Sequence, residues 1–270
     1  MCIRDRYYTA GITDMYDGQD VEVENAIVKV FSSEMGFNAL NEAILMMGSN
    51  ALLESSHFFR YLRDMRFMAM LDASNDMYKC LIALNGLQYV SNEFADMVMK
   101  QRNPLFYPIQ SMKNFLNVRF FRVEDDRPIL YLKLKEFLHP TLQYVADEIE
   151  HCVLRFEHGV KAVLSRIGPF SVNDQYILKR LAECAISIYV MVAVTSRASR
   201  SYCIGYRNAD EEIVIAETVV RDQAAKFRYM IEGLIHGEYY CTDGNSKMLA
   251  DKSVNSKGYF CEQPLKLNDC

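Results

Sequence analysis

Two short segments combine titratable residues at a spacing that could do chemistry. Glu148 and His151 stand three apart, which places a carboxylate and an imidazole on one face of a helix. A carboxylate-bridged metal centre needs a second such pair on a facing helix, with further carboxylates around it. No such set is predicted, so the pair is read as a solvated helix face and no metal site is expected. The second segment joins Arg63-Asp64-Met65-Arg66 to Leu71-Asp72-Ala73-Ser74-Asn75-Asp76. Taken alone it is a capped helix start, with acids near the positive end of the helix dipole. The phosphate-loop, dinucleotide, serine-hydrolase and zinc-protease signatures are all missing.

The elements that must position these residues are helical. Val21–Gly48 is predicted as one long helix: Val23, Ala26, Ile27, Val30, Phe31, Phe37, Leu40, Ile44 and Met47 recur at helical spacing. Gly48-Ser49-Asn50 supplies its stop. His57–Leu71 is read as a short helix or a tight connection. Ser74 is expected to cap a helix that carries Met77, Leu81, Leu84 and Leu87 on one face and runs to about Lys100. Asn103-Pro104 breaks it. Three more helices are expected: Pro140–Ile167, one opening at Ser171 with Asp174 three residues on, and Asp210–Gly233. A further helix is expected after Gly244. The fold class is therefore all-α, with helical stripes buried in bundles.

Bulk properties narrow the function classes. The chain has 270 residues, half of them hydrophobic, and a net charge of -5 with both signs mixed along it. No basic tract suggests nucleic-acid binding, and none is expected. The eight cysteines form no C-x-x-C pair, so they read as free thiols, with Cys152 and Cys184 as core fillers. The longest apolar run, Ala185–Thr195, is about half of what a membrane span needs and is read as a buried helix segment. Met1–Arg6 carries no weight in the reading, because it looks like translated adapter sequence.

The segment around Asp72 resembles the acyl-CoA dehydrogenase pattern R-D-x-R, five variable residues, then E-G-T-N-[DE]. Lys29-Val30-Phe31-Ser32-Ser33-Glu34, Met47-Gly48 and Ala83-Leu84-x-Gly86-Leu87-Gln88 fit the same family. Ser196-Arg197-Ala198-Ser199-Arg200-Ser201, with Ile204-Gly205-x-Arg207-Asn208, resembles the extra domain of its large, very-long-chain members. Cys261-x-x-Pro264-Leu265 points to the member 9 type. The resemblance implies a carboxy-terminal fragment in three parts. Residues 1–100 are the helical bundle of the dehydrogenase core, 101–138 a junction, and 139–270 an appended helical domain.

The resemblance also implies an activity, and the sequence departs from it. The family oxidises an acyl-CoA thioester to the trans-2-enoyl-CoA, with FAD as cofactor and an electron-transfer flavoprotein as acceptor. The Glu of E-G-T takes the α-proton, and here that position holds Asp72. Its side chain is shorter by about 1.5 Å, and a misplacement of about 1 Å can cost around 100-fold. Ala73 replaces a Gly. Ser74 keeps the hydroxyl of a Thr beside the flavin, and Asp76 matches. The Gln of the upstream turn is Leu45, and Gly-Gly-x-Gly becomes Gly48-Ser49-Asn50-Ala51, with Gly48 and Ser49 expected near the flavin of a neighbouring subunit. A homodimer in the mitochondrial matrix, associated with the inner membrane, is implied. FAD and acyl-CoA are expected to bind only the full-length protein. The acid-free stretch Pro104–Val123, with Lys113, Arg119 and Arg122 among phenylalanines, suits an interfacial helix. The degraded pocket leaves a second reading open, a weak or inactive assembly factor of respiratory complex I of the member 9 type.

Overall fold

The computed structural model describes residues 2–15, 20–103, 105–109, 112, 129–237, 240–258 and 260–261. Among these there is no strand. The helices are α1 (Cys2–Met15), α2 (Glu22–Met47), α3 (His57–Met70), α4 (Asn75–Arg102), α5 (Gln143–Arg166), α6 (Gln175–Ile204), α7 (Ala209–His236) and α8 (Asp243–Asn255). The chain forms two compact units, Met1–Ile235 and His236–Cys270.

The first unit is built around α4, which packs on α2, α5 and α6, while α1 lies against α2 and α6. The apolar stripes meet in one core. Val30 of α2, Ile82 of α4, Val145 and Ile149 of α5, Val190 and Met191 of α6 and Phe227 of α7 all belong to it. Helices on both sides of residue 139 therefore share a single core. Within α6, Ile186, Val190, Met191 and Val194 are buried, which accounts for the apolar run Ala185–Thr195. No helix among the described residues is long and apolar enough to cross a membrane.

Polar contacts fix the helices against one another. Lys79 of α4 is buried between Glu34 of α2 at 2.7 Å and Glu183 of α6 at 2.5 Å. Glu183 also receives Lys226 of α7 at 2.5 Å. Arg155 and Arg228 tie α5 and α7 together through Glu232 and Glu148. The second unit holds α8, which buries no residue.

Several local expectations are corrected. The helix expected over Pro140–Ile167 opens with a 3-10 turn, Pro140–Leu142, before α5 begins at Gln143. Ser171 does not cap α6. Its buried hydroxyl donates to the Gly168 carbonyl at 2.8 Å, and Asp174 caps instead by accepting from the Tyr176 N–H at 3.1 Å. Cys2–Met15, where no element is expected, is helical and held by tertiary contacts: Thr9 hydrogen-bonds Tyr189 at 2.7 Å. Of the stretch Pro104–Val123, only Leu105–Ile109 and Met112 are described, so Lys113, Arg119 and Arg122 lie outside the described residues.

Candidate active site

Asp72 sits in an unusual piece of backbone between α3 and α4. Its φ is +68°, in the left-handed region that only a few non-glycine residues occupy. The Ala73 N–H donates to the Leu71 carbonyl at 2.9 Å, closing a three-residue turn around Asp72. A γ-turn with positive φ at its centre is the rare, strained kind. Strain of about 1–3 kcal/mol at one residue persists only where neighbours over-determine the geometry.

Those neighbours come mainly from α2. The Lys29 ammonium donates to the Ala73 carbonyl at 2.6 Å, to Asn75 Oδ1 at 2.9 Å and to the Ala69 carbonyl at 3.4 Å. Asn75 Nδ2 donates in turn to Ser33 Oγ at 2.8 Å, one helical turn after Lys29. Burial pulls the Lys29 ammonium below the usual lysine range, partly offset by the Asp72 charge. Ser74 caps α4, its Oγ accepting from the Met77 N–H at 3.4 Å, and Asp76 stands in the first turn.

The Asp72 carboxylate is already engaged. The Tyr78 hydroxyl, on the first turn of α4, donates to Asp72 Oδ2. That bond, with smaller contributions from burial and from the Asp72 charge, raises the Tyr78 phenol above its ordinary value. The Lys29 Nζ lies 4.6 Å from the Tyr78 ring centroid, so one ammonium serves both the turn and the ring. Asp72, Ser74 and Asp76 are brought together here, as the sequence suggests. Lys29 and Tyr78 were given no role by sequence. The signals for Lys29 are its place at the head of the family-like segment Lys29–Glu34 and the Ser33 four residues later.

Gly48 and Ser49 are elsewhere. Gly48 ends α2 with φ 69° and ψ -156°, a conformation essentially confined to glycine. Nothing stands within 4 Å of where a Cβ would be. Gly48 is nineteen residues after Lys29 on one helix, or about 28 Å along its axis. Within one chain the turn and Asp72 cannot share a ligand group. The residues named from the sequence therefore fall into two separate halves. One half is the Ser74 hydroxyl with the amide end of α4, and the other is the open glycine turn at the far end of α2.

The Glu148–His151 pair has a structural use. Glu148 accepts from Arg228 at 2.5 Å, and His151 is buried, which corrects the expected solvated face. Glu54–His57 and Glu136–His139 repeat the spacing outside continuous helix. No group of three or more His, Cys, Asp or Glu among the described residues could hold a metal ion.

Comparison with known proteins gives two family matches. Residues 7–87 match the family described as "Acyl-CoA dehydrogenase, C-terminal domain". Residues 140–259 match "ACAD9/ACADV, C-terminal domain". The mitochondrial very long-chain specific acyl-CoA dehydrogenase of Rattus norvegicus is 29% identical over 257 residues, covering 92% of this chain and 38% of that protein. The Homo sapiens protein of the same name is 29% identical over 216 residues, covering 77% of this chain and 32% of its own length. The chain thus spans about a third of these curated relatives. Among solved structures, an acyl-CoA dehydrogenase complexed with FAD from Bacillus anthracis shares the fold. Its TM-score is 0.58 at 13% identity, over 89% of this chain and 37% of that one.

Proposed function

The chain belongs to the acyl-CoA dehydrogenase family, and from that premise we propose that it is the carboxy-terminal part of a mitochondrial, flavin-dependent dehydrogenase acting on long-chain acyl-CoA. The product is the trans-2-enoyl-CoA. The observation that carries the reading is the strained turn at Asp72, a carboxylate held at the family's base position by Lys29 and Tyr78. Strain kept at one residue by a dedicated clamp is characteristic of functional sites.

In this reading Asp72 removes the proton from the acyl α-carbon. When bound, the flavin accepts the hydride that leaves the β-carbon. Lys29 holds the Ala73 carbonyl and Asn75, and so fixes the direction from which the carboxylate approaches. Tyr78 occupies Oδ2 of Asp72 with its hydroxyl. It must swing aside to free that oxygen for the substrate proton. Ser74 and Asp76 edge the flavin of their own subunit, and Gly48 and Ser49 that of a partner. The separation of about 28 Å along α2 supports a homodimer. The implied electron acceptor is an electron-transfer flavoprotein. Inner-membrane association is assigned to the basic, aromatic stretch around Lys113, Arg119 and Arg122.

A second reading is a catalytically weak assembly factor of respiratory complex I. The Tyr78 bond to Asp72 favours it, because that bond occupies the carboxylate the reaction needs. The test is anaerobic addition of palmitoyl-CoA to the full-length protein, followed by flavin absorbance. Bleaching establishes Asp72 as a working base. Bound flavin that bleaches only after Asp72→Glu, or no flavin at all, moves the assignment to the assembly factor.

A further inference from the structure

We propose that Glu183, on α6, is a positioning residue for Asp72, acting through Lys79 on α4; the proposal rests on the reading of Asp72 as the base. Tyr78 and Lys79 are consecutive on α4. Successive helical side chains diverge by about 100°, so one can face Asp72 while the other enters the core. Tyr78 donates to Asp72, and Lys79 runs inward, 6% exposed, between Glu34 and Glu183.

The arrangement is closed in charge. Glu34, Lys79, Glu183 and Lys226 alternate in sign across α2, α4, α6 and α7. Glu183 is 5% exposed and uses one oxygen for Lys79 and the other for Lys226. Without Glu183 the buried Lys79 ammonium would keep only the half-exposed Glu34 and lose the partner that ties it to α6. Apolar residues of like volume often stabilise a core as well as a buried ion pair does. What the pair adds is a fixed distance and direction between α6 and the first turns of α4. The Asp72 turn is then held from two sides. Lys29 grips its backbone from α2, and Glu183 fixes from α6 the helix on which Tyr78 stands. Residues 140–259, which include Glu183, thereby contribute to the geometry of a site whose contacting groups all lie before residue 79.

The experiment compares Glu183→Gln with Arg228→Gln in the complete protein. The second substitution breaks the Arg228–Glu148 pair between α7 and α5, in which no residue of α4 takes part. Amide hydrogen exchange is followed in the segment from Leu71 to Met77. Tyr78 is followed by ultraviolet titration, with Tyr78→Phe as the subtraction. Glu183→Gln should speed exchange of the Ala73 and Met77 amides on the order of tenfold or more. It should also return the Tyr78 phenol toward its ordinary value. Glu183→Asp should recover part of both effects, and Arg228→Gln should change neither. The proposal is overturned if Glu183→Gln leaves both readouts at their starting values, or if Arg228→Gln moves them equally. Neither readout requires turnover, so a protein without dehydrogenase activity still answers the question.

Discussion

The Asp72 carboxylate is placed by strain and restrained by Tyr78, and these two facts bear on stability and activity in opposite directions. Glycine adopts positive φ without penalty, so Asp72→Gly should relax the turn and raise stability by about 1 kcal/mol. The same change removes the base. Urea midpoints should rise while flavin bleaching by palmitoyl-CoA disappears, and a lower midpoint would show that the turn is not strained. The cysteines behave differently. Burial pushes the Cys152 thiol up to about 12 and Cys184 higher still, so both stay protonated and unreactive near neutral pH. A thiol reagent at pH 8 should label exposed Cys203 and Cys261 in the native state and leave Cys152 and Cys184 unlabelled until denaturant is added. Because these two folded values lie above the ordinary 9.0, their contribution to stability is complete below pH 9. It is lost as pH rises toward and through the raised values.

At the level of the helix, Glu183 in the buried ladder contributes to acid stability. Burial alone would raise the Glu183 carboxyl, but hydrogen bonds from Lys226 and Lys79 outweigh it and the net shift is downward. A depressed carboxyl stabilises the fold above its unfolded value and loses that contribution as pH falls through the folded one. Urea midpoints of the parent should therefore drop as pH falls below about 4.5. Glu183→Gln should begin lower at pH 7 and fall less over the same window; parallel curves would remove Glu183 from the acid response. Periodicity made α2 and α4 legible as helices, with Val30 and Ile44 buried on α2 and Leu87 on α4, and Ser74 announces the cap of α4; Met77 of the expected α4 stripe is exposed instead, and Ile82 is buried. The start of α6 was misread because Ser171 and Asp174 can both cap, and only burial of Ser171 decides between them. The α1 helix depends on Thr9 meeting Tyr189, a contact that no local pattern encodes. In the candidate site, Ser74 was legible as the cap of α4. Lys29 and Tyr78 were not, since their roles depend on where α2 passes and how the first turn of α4 faces.

For the molecule as a whole, α3 is the conspicuous surface. It buries no residue, and Phe59, Phe67 and Met70 are exposed on it, with Leu52 and Leu53 just ahead. Apolar surface on this scale marks an interaction site or an association liability. The 270-residue chain should self-associate at micromolar concentration in sedimentation velocity, and a Phe67→Glu, Met70→Lys double variant should sediment as a monomer. If the parent is itself monomeric, α3 is not an adhesive face. The ladder Glu34–Lys79–Glu183–Lys226 has a historical consequence as well. Each inner member answers to two neighbours of opposite sign, so a single replacement at Lys79 or Glu183 removes two ion pairs at once. Paired changes at these positions are therefore expected to cost less than single ones. The record of such changes should be read as linked inheritance across four helices that lie far apart in the gene.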